Sequence, residues 1–461
     1  MAHHDLIIIG TGSGNSIADK SLRHLDIGIV EESTFGGTCS NVGCIPTKML
    51  VYAAELAQRT EDSARFGIDA HVDKVRWPDI RDRVFGRLDP MSESGRDYRE
   101  HGPNTTLYSE HVEFVGPRRL RLASGTELTA DQIVIAAGGR PIIPAIDGLD
   151  DIPSERKHTS DTVMRVDDLP TSMVIVGGGV IAAEMAHIFS AFGTRVSVVA
   201  YTEHLLRHED DDVSAAFTAL ASSRWDVRTE RTATAIERTP GGVRLHVENA
   251  DGDPDGHIDA EMVLVAVGRI SNSDRLGLDA AGIEVHDDGR IVVDDYQRTS
   301  VEGVFALGDV SSEWELKHVA NHEARIVQYN LTHPDAMEKA DHRFVPHAVF
   351  SDPQVASVGK TERELVEAGT AFVAKTQRYG DVAYGWAMED TTGFVKVLAD
   401  PSSGQILGAH LLGADASSLI QPIVQAMSFG LSARDMGRKQ YWIHPALAEV
   451  VENAVLGLPL D

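Results

Sequence analysis

Gly36-Gly37-Thr38-Cys39-Ser40-Asn41-Val42-Gly43-Cys44-Ile45-Pro46-Thr47-Lys48 holds the only two cysteines of a 461-residue chain, with four residues between them. Five steps along a regular α-helix separate Cα atoms by roughly 8–9 Å, whereas a disulfide spans about 4.4–6.8 Å. Two arrangements meet that geometry: unpaired cysteines, or Cys39 in a loop with Cys44 in the first turn of a helix. Gly36, Gly37 and Gly43 permit a bent backbone, and Pro46 is tolerated at a helix start. Two unrelated buried thiols would suit cysteine as a small hydrophobe, but would not call for the flanking Gly-Gly-Thr and Pro-Thr-Lys.

Upstream, Leu6–Ile9 followed by Gly10-Thr11-Gly12-Ser13-Gly14-Asn15 reads as a buried strand entering a helix. The next strand, Ile27–Val30, ends at Glu31, 21 residues after Gly10. This is the spacing of a dinucleotide fold, where glycines let backbone N–H groups approach a pyrophosphate and the acid bonds a ribose. The third glycine of the usual pattern falls at Asn15, which loosens the expected helix packing. The pattern recurs at Met173–Val176, which leads into Gly177-Gly178-Gly179-Val180-Ile181-Ala182-Ala183-Glu184. Strand Val196–Ala200 follows, with Ala200 where NAD-preferring folds carry an acid.

Helical patterning covers Met49–Gln58 and about Trp77–Glu100, and a β-rich stretch covers Thr106–Leu122. Apolar strands then end in Gly138-Gly139-Arg140-Pro141, in Gly268-Arg269 and in Gly308-Asp309. From about Asp341 the character changes to alternating strands, with Ala348–Gly359, Phe394–Leu398 and Ile406–Leu412 before a helical stretch at Ser417–Ser428. The chain ends on Tyr441-Trp442-Ile443-His444-Pro445-Ala446-Leu447-Ala448-Glu449 and a short tail.

Hydrophobic residues make up 42% and charged residues 24% of the chain, as in globular proteins. The longest apolar runs are strand-sized, too short for a membrane span. No signal peptide precedes Leu6, so a cytoplasmic protein is expected, where a lone disulfide is catalytic rather than structural. The 42 basic against 70 acidic residues give a net charge of −28, which repels nucleic acid and anionic lipid. The acidic runs Glu209–Asp212 and Asp251–Asp255 read as solvated loops. No metal site is expected.

The first glycine turn, the cysteine stretch, the second glycine turn, Gly308-Asp309 and the final His-Pro-x-x-x-Glu resemble, in this order, the class I flavoprotein disulfide reductases, the pyridine nucleotide-disulfide oxidoreductases. The resemblance covers essentially the whole chain. It implies an α/β protein with two Rossmann-like dinucleotide-binding domains and a C-terminal α+β dimerisation domain. The divisions would be FAD-binding parts at 1–156 and 271–340, an NADPH-binding domain at 157–270 and a dimerisation domain at 341–461. FAD would be held by Gly10, Gly12, Gly14, Glu31, Gly37, Thr38, Lys48, Gly138, Gly308 and Asp309. NADPH would be held by Gly177, Gly179, Ala182, Glu184, Arg207 and Gly268, with Arg207 toward the 2′-phosphate and His204 and His208 as helpers. Lys48 and Glu184 would sit as a pair beside flavin and nicotinamide. Cys39 and Cys44 would form the redox-active disulfide, Cys44 facing the flavin and Cys39 attacking the substrate. His444, oriented by Glu449, would be the acid–base group, supplied across a homodimer by the partner subunit.

Within the family, the strings at 10–16, 316–325 and 379–390 are similar to those of mycothione reductases, which implies mycothione, the disulfide of a cysteinyl-glucosaminyl-inositol. The site has no clear arginine cluster for an anionic disulfide, since Lys20 lies beside Asp19. Val180 stands where glutathione reductases carry a tyrosine lid. A lipoamide dehydrogenase, possible as a docked subunit of a multienzyme complex, and a glutathione reductase-like enzyme are the alternatives; Leu316–Ala320 leans to the former and Ala200 against it.

Overall fold

The structure, a computed structural model, describes residues 2–460. Strand Ala2–Ile9 runs parallel between Ile27–Val30 and Glu127–Ile135 in a seven-stranded sheet. Thr105–Tyr108 and Val304–Ala306 extend its parallel part, and the hairpin Val112–Gly116/Arg119–Leu122 adds an antiparallel edge. Leu6, Ile7 and Ile8 are fully buried, some packing on one face and some on the other, hence the continuous apolar run.

A second sheet is wholly parallel, in the order Asp226–Arg228, Arg195–Val199, Ser172–Val176, Met262–Val265, Lys157–His158. Val174 and Val176 face a three-stranded antiparallel sheet through Val243 and Leu245. Met173 and Ile175, on the other face, pack with helix Val180–Ala191. The C-terminal unit is a five-stranded antiparallel sheet, His347–Val349, Gln354–Gly359, Ile406–Gly413, Phe394–Ala399 and Val373–Arg378, covered by helices that include Gln421–Ser428 and Glu449–Leu456. The expected helix over 417–428 is in fact two pieces, Ala416–Leu419 and Gln421–Ser428, with Pro422 in the first turn of the second. Two units built on parallel strands plus an α+β unit make this an α/β fold.

One core joins the first unit to the second. Leu50, Val51 and Ala54 of helix Cys44–Glu61 share it with Trp77, Val84 and Leu88 of helix Trp77–Glu100 and with Ala182, Ala183 and Ala186 of helix Val180–Ala191. Small alanines on the last helix admit the close approach that brings Lys48 to Glu184. Among the described residues no helix is long and apolar enough to cross a membrane.

Two further sequence expectations fail here. After Gly10 there is no α-helix but two short 3-10 turns, Gly14–Ser16 and Lys20–Leu22. The carbonyls that would carry helical bonds are taken elsewhere. Arg99 donates to the carbonyls of Asn15 (2.7 Å) and Ala18 (2.5 Å) and to Asn15 Oδ1 (2.8 Å), while Gln328 donates to the carbonyl of Ile17 (2.9 Å). The run Glu209–Asp212 is not a solvated loop either, because Glu209 is 3% and Asp210 0% exposed. Both plug into the C-terminal sheet, Asp210 Oδ1 accepting from Lys396 Nζ at 2.8 Å. Removing one partner of so buried a pair costs about 3–5 kcal/mol. Asp251–Asp255 is exposed as expected.

Buried Glu323 holds the turn at Gly308, accepting its N–H at 2.6 Å, and pairs through the other oxygen with His342 Nε2 at 3.0 Å. The hydrogen bond to Glu323 raises the His342 pKa above its ordinary value. The pair therefore stabilises the fold fully below the unfolded imidazole value of about 6.5, and the contribution is lost as pH rises through the raised value. His342→Gln should cost more stability near pH ~6 than near pH ~9 in chemical denaturation of the flavin-loaded protein. An equal cost at both would remove the charge from the account.

Candidate active site

The cysteines meet where two helices abut. Gly37–Asn41 forms a single helical turn after Gly36 (φ 102°), so Cys39 lies in a helix and not in a loop. Cys44 opens helix Cys44–Glu61, as expected. Asn41 Nδ2 ties the turn by donating to the carbonyls of Phe35 (2.9 Å) and Gly37 (3.0 Å), and Thr47 Oγ1 donates to the carbonyl of Gly43 at 2.7 Å. A Cβ on Gly43 would lie 3.0 Å from the Thr38 carbonyl oxygen and 3.3 Å from Cys39 Cα, so only glycine lets the two segments close. Both cysteines are free thiols, the reduced form of the expected redox-active pair. They are hydrogen-bonded to each other, which with burial pushes the Cys39 thiol up. The same bond, helped by the Lys48 charge, brings Cys44 down to about 7. Both effects favour the proton on Cys39 and the thiolate on Cys44.

Lys48, one turn beyond Cys44, places Nζ 2.7 and 2.8 Å from the two Glu184 carboxylate oxygens. Glu184 is buried, and its Oε1 also accepts the Phe350 N–H at 3.0 Å, while Lys48 Nζ stands 4.5 Å from the Phe350 ring centroid. Phe350 thus joins the site from the C-terminal unit. A cavity of about 540 Å³ opens here, lined by Cys44, Ile45, Lys48, Met49, Tyr52 and Arg83.

The two glycine turns are one construction used twice. Gly10 N–H donates to the Val30 carbonyl (2.8 Å), and Gly177 N–H to that of Val199 (2.9 Å). Gly10 has φ +98° and Gly177 φ +130°, and a Cβ there would strike the carbonyl oxygen of Ala136 at 2.3 Å or of Ala266 at 2.1 Å. Each is a cradle that a side chain would fill, backed by the end of a parallel strand, and so fits a dinucleotide pyrophosphate. The register makes Ala200 the counterpart of Glu31. Glu31 accepts from Thr11 N–H (2.9 Å), Thr11 Oγ1 (2.5 Å), Ser33 N–H and Ser33 Oγ (both 2.9 Å), so it braces its own glycine turn. Thr11 Oγ1 in turn accepts the Gly36 N–H at 2.9 Å, and Gly12 packs on Gly37, the residue before Thr38. Gly14 abuts Ala136.

Gly138 (φ +65°) and Gly308 (φ +71°) turn the chain at the same end of the first sheet, and burial raises the carboxyl pKa of Asp309. In the second unit Gly179 caps helix Val180–Ala191, Ala182 is buried, and Gly268 (φ +130°) accepts the Ile142 N–H. Arg207 is exposed, with its guanidinium carbon 5.1 Å from the Tyr201 ring centroid and Nε 3.0 Å from His208 Nε2. His444 Nδ1 lies 2.6 Å from Glu449 Oε1, and Glu449 also accepts the Ala446 N–H at 3.3 Å. The His444 side chain is 72% exposed, and among the described residues no hydrogen bond or ion pair joins it to either cysteine. The site within one chain therefore comprises Cys39, Cys44, Lys48 and Glu184, with His444 and Glu449 apart from it.

Two dinucleotide cradles, linked to one pair of thiols through Gly12 on Gly37 and through Lys48 on Glu184, define a flavin- and pyridine nucleotide-dependent disulfide oxidoreductase. The chain belongs to the pyridine nucleotide-disulphide oxidoreductase family, whose profile matches residues 4–324 and whose dimerisation domain matches residues 345–455. Mycothione reductase of Mycobacterium tuberculosis is 55% identical over 471 residues, covering 99% of this chain and 100% of that one. Glutathione reductase of Burkholderia cepacia is 31% identical over 451 residues, with 96% and 97% covered. The Cu(II) complex of the HOCl-induced flavoprotein disulfide reductase RclA from Escherichia coli superposes with a TM-score of 0.87 at 26% identity, covering 99% of each chain.

Proposed function

We propose that this protein reduces mycothione to two molecules of mycothiol in the cytoplasm, with NADPH as donor, FAD as bound flavin, and a homodimer as the working unit. Residues 1–156 and 271–340 would hold the FAD, 157–270 the NADPH, and 341–461 the dimer contact. The observation that carries the reaction type is the pair of free thiols, Cys39 and Cys44, with Lys48 one turn beyond Cys44, its charge favouring the Cys44 thiolate. The substrate rests on the 55% identity to a mycothione reductase across almost the whole chain.

When bound, the flavin relays two electrons from the nicotinamide to the Cys39–Cys44 disulfide. Because Cys39 holds the shared proton, it needs a base before it can attack. The partner subunit's His444 takes that proton at Nε2, its Nδ1 being fixed by Glu449. The Cys39 thiolate then attacks one substrate sulfur, and the leaving thiolate is protonated by the imidazolium. The Cys44 thiolate attacks Cys39 in the mixed disulfide, which releases the second product as a thiolate that takes its proton from solvent, and restores the Cys39–Cys44 disulfide. Lys48, held by Glu184, favours the Cys44 thiolate throughout. Ala200 in place of an acid, with Arg207 on the following loop, supports NADPH.

Steady-state assays of the flavin-loaded protein with NADPH or NADH against mycothione, glutathione disulfide and lipoamide test the reading. Mycothione with NADPH should lead by at least about 100-fold in kcat/KM, the scale of a site matched to one substrate's polar groups. A lead for lipoamide, or a tightly co-purifying acyltransferase, would sink it. Arg207→Ala should cost about 1–3 kcal/mol of NADPH binding and leave NADH little changed, and Ala200→Glu should shift preference the same way.

A further inference from the structure

Arg207 opens a four-residue segment, 207–210, that is tied to the C-terminal unit at several points. Its carbonyl accepts from Arg363 Nη2 at 3.4 Å. Two residues on, Glu209 Oε1 lies 2.6 Å from His347 Nε2, and Glu209 Oε2 accepts from Ser357 Oγ at 2.5 Å. Asp210 accepts from Lys396 Nζ at 2.8 Å and from the Glu362 N–H at 3.1 Å. On its other side the segment is pinned to the glycine turn, Leu206 N–H donating to the Gly178 carbonyl at 2.7 Å. Leu206 has φ +54°, a backbone state a leucine keeps only when its surroundings hold it.

We propose that Glu209, gripped by His347 and Ser357, is a latch through which the C-terminal sheet sets where Arg207 stands, making Glu209 and His347 positioning residues for recognition of the nucleotide 2′-phosphate. The inference rests on the reading of Arg207 as the 2′-phosphate contact. Nothing in it requires the latch to touch the nucleotide. Buried ion-paired residues two positions away hold the backbone from which the guanidinium extends, so loosening them spreads Arg207 over more positions. A contact that depends on one guanidinium suffers, whereas adenine and pyrophosphate contacts made from the glycine turn do not.

Calorimetry on the flavin-loaded dimer separates these, with adenosine 2′,5′-bisphosphate as probe and 5′-AMP as the ligand lacking the 2′-phosphate. Glu209→Gln and His347→Leu should each raise Kd for the bisphosphate at least about fivefold, the lower end of coupling between distinct sites. The ratio to 5′-AMP should fall in step, and His347→Gln, which retains an N–H donor, should recover most of the loss. Equal weakening of both ligands would reduce the latch to structural support and overturn the proposal. So would unchanged binding in Glu209→Gln and His347→Leu while Arg207→Ala loses the bisphosphate, an outcome that leaves the reading of Arg207 intact. If Arg207→Ala itself binds both ligands as before, the 2′-phosphate assignment falls and the latch with it.

Discussion

Cys44→Ser in the flavin-loaded protein should lower turnover of a small-molecule disulfide by at least about 10⁴-fold, as removal of an essential nucleophile does. A serine hydroxyl is not ionised near neutral pH and cannot close the ring with Cys39. Electron transfer from NADPH to a quinone needs neither thiol and should persist, which separates lost chemistry from lost folding. Spectroscopy distinguishes the two cysteines. The bond to Cys39 and the Lys48 charge that bring Cys44 down to about 7 favour its thiolate. A thiolate against a flavin absorbs at long wavelength. Cys39→Ser should therefore show that absorption without added reductant, and Cys44→Ser should lack it even after two electrons. Absorption that survives in Cys44→Ser would exchange the roles of the two thiols.

The parts of this site that were legible in sequence are those where the backbone itself leaves no choice. Gly10 and Gly177 lie at positive φ with a carbonyl oxygen where a Cβ would be, so each marks a strand-to-turn junction wherever it is met. The apolar runs before them are equally plain, because strands buried on both faces need no alternation. What sequence did not show are contacts closed over long separations. The helix expected after Gly10 yields to Arg99, 84 residues beyond Asn15, whose guanidinium takes the carbonyls a helix would use. The acidic run at 209–212 reads as solvated because its partners, His347 and Lys396, lie 138 and 186 residues away. Phe350 was invisible for another reason: its bond to Glu184 comes from the backbone N–H, which every residue but proline carries. The free thiols are the reduced form of the expected redox-active pair, and the hydrogen bond and burial that push the Cys39 thiol up favour the proton on the cysteine that must lose it to attack.

His444→Gln should leave flavin reduction by NADPH nearly intact and slow disulfide exchange with substrate by on the order of 10²–10⁴, the worth of a positioned acid–base group. The raised Cys39 thiol supplies the reason, since it attacks only after giving up its proton. Glu449→Gln should lose less, because Glu449 orients the imidazole through Nδ1 without carrying the proton. The two losses should not add, since both side chains serve one transfer. Within one chain His444 touches neither cysteine and its side chain is 72% exposed, with Tyr441 and Ile443 exposed alongside it. That surface suits burial against a second copy, and it makes a test of shared sites possible. Co-expression of Cys39→Ser with His444→Gln yields heterodimers in which one of the two sites regains both native residues. Those heterodimers should recover up to half of the native activity, although each parent homodimer has almost none. If purified heterodimers stay as inactive as the parents, the base does not come from the partner subunit.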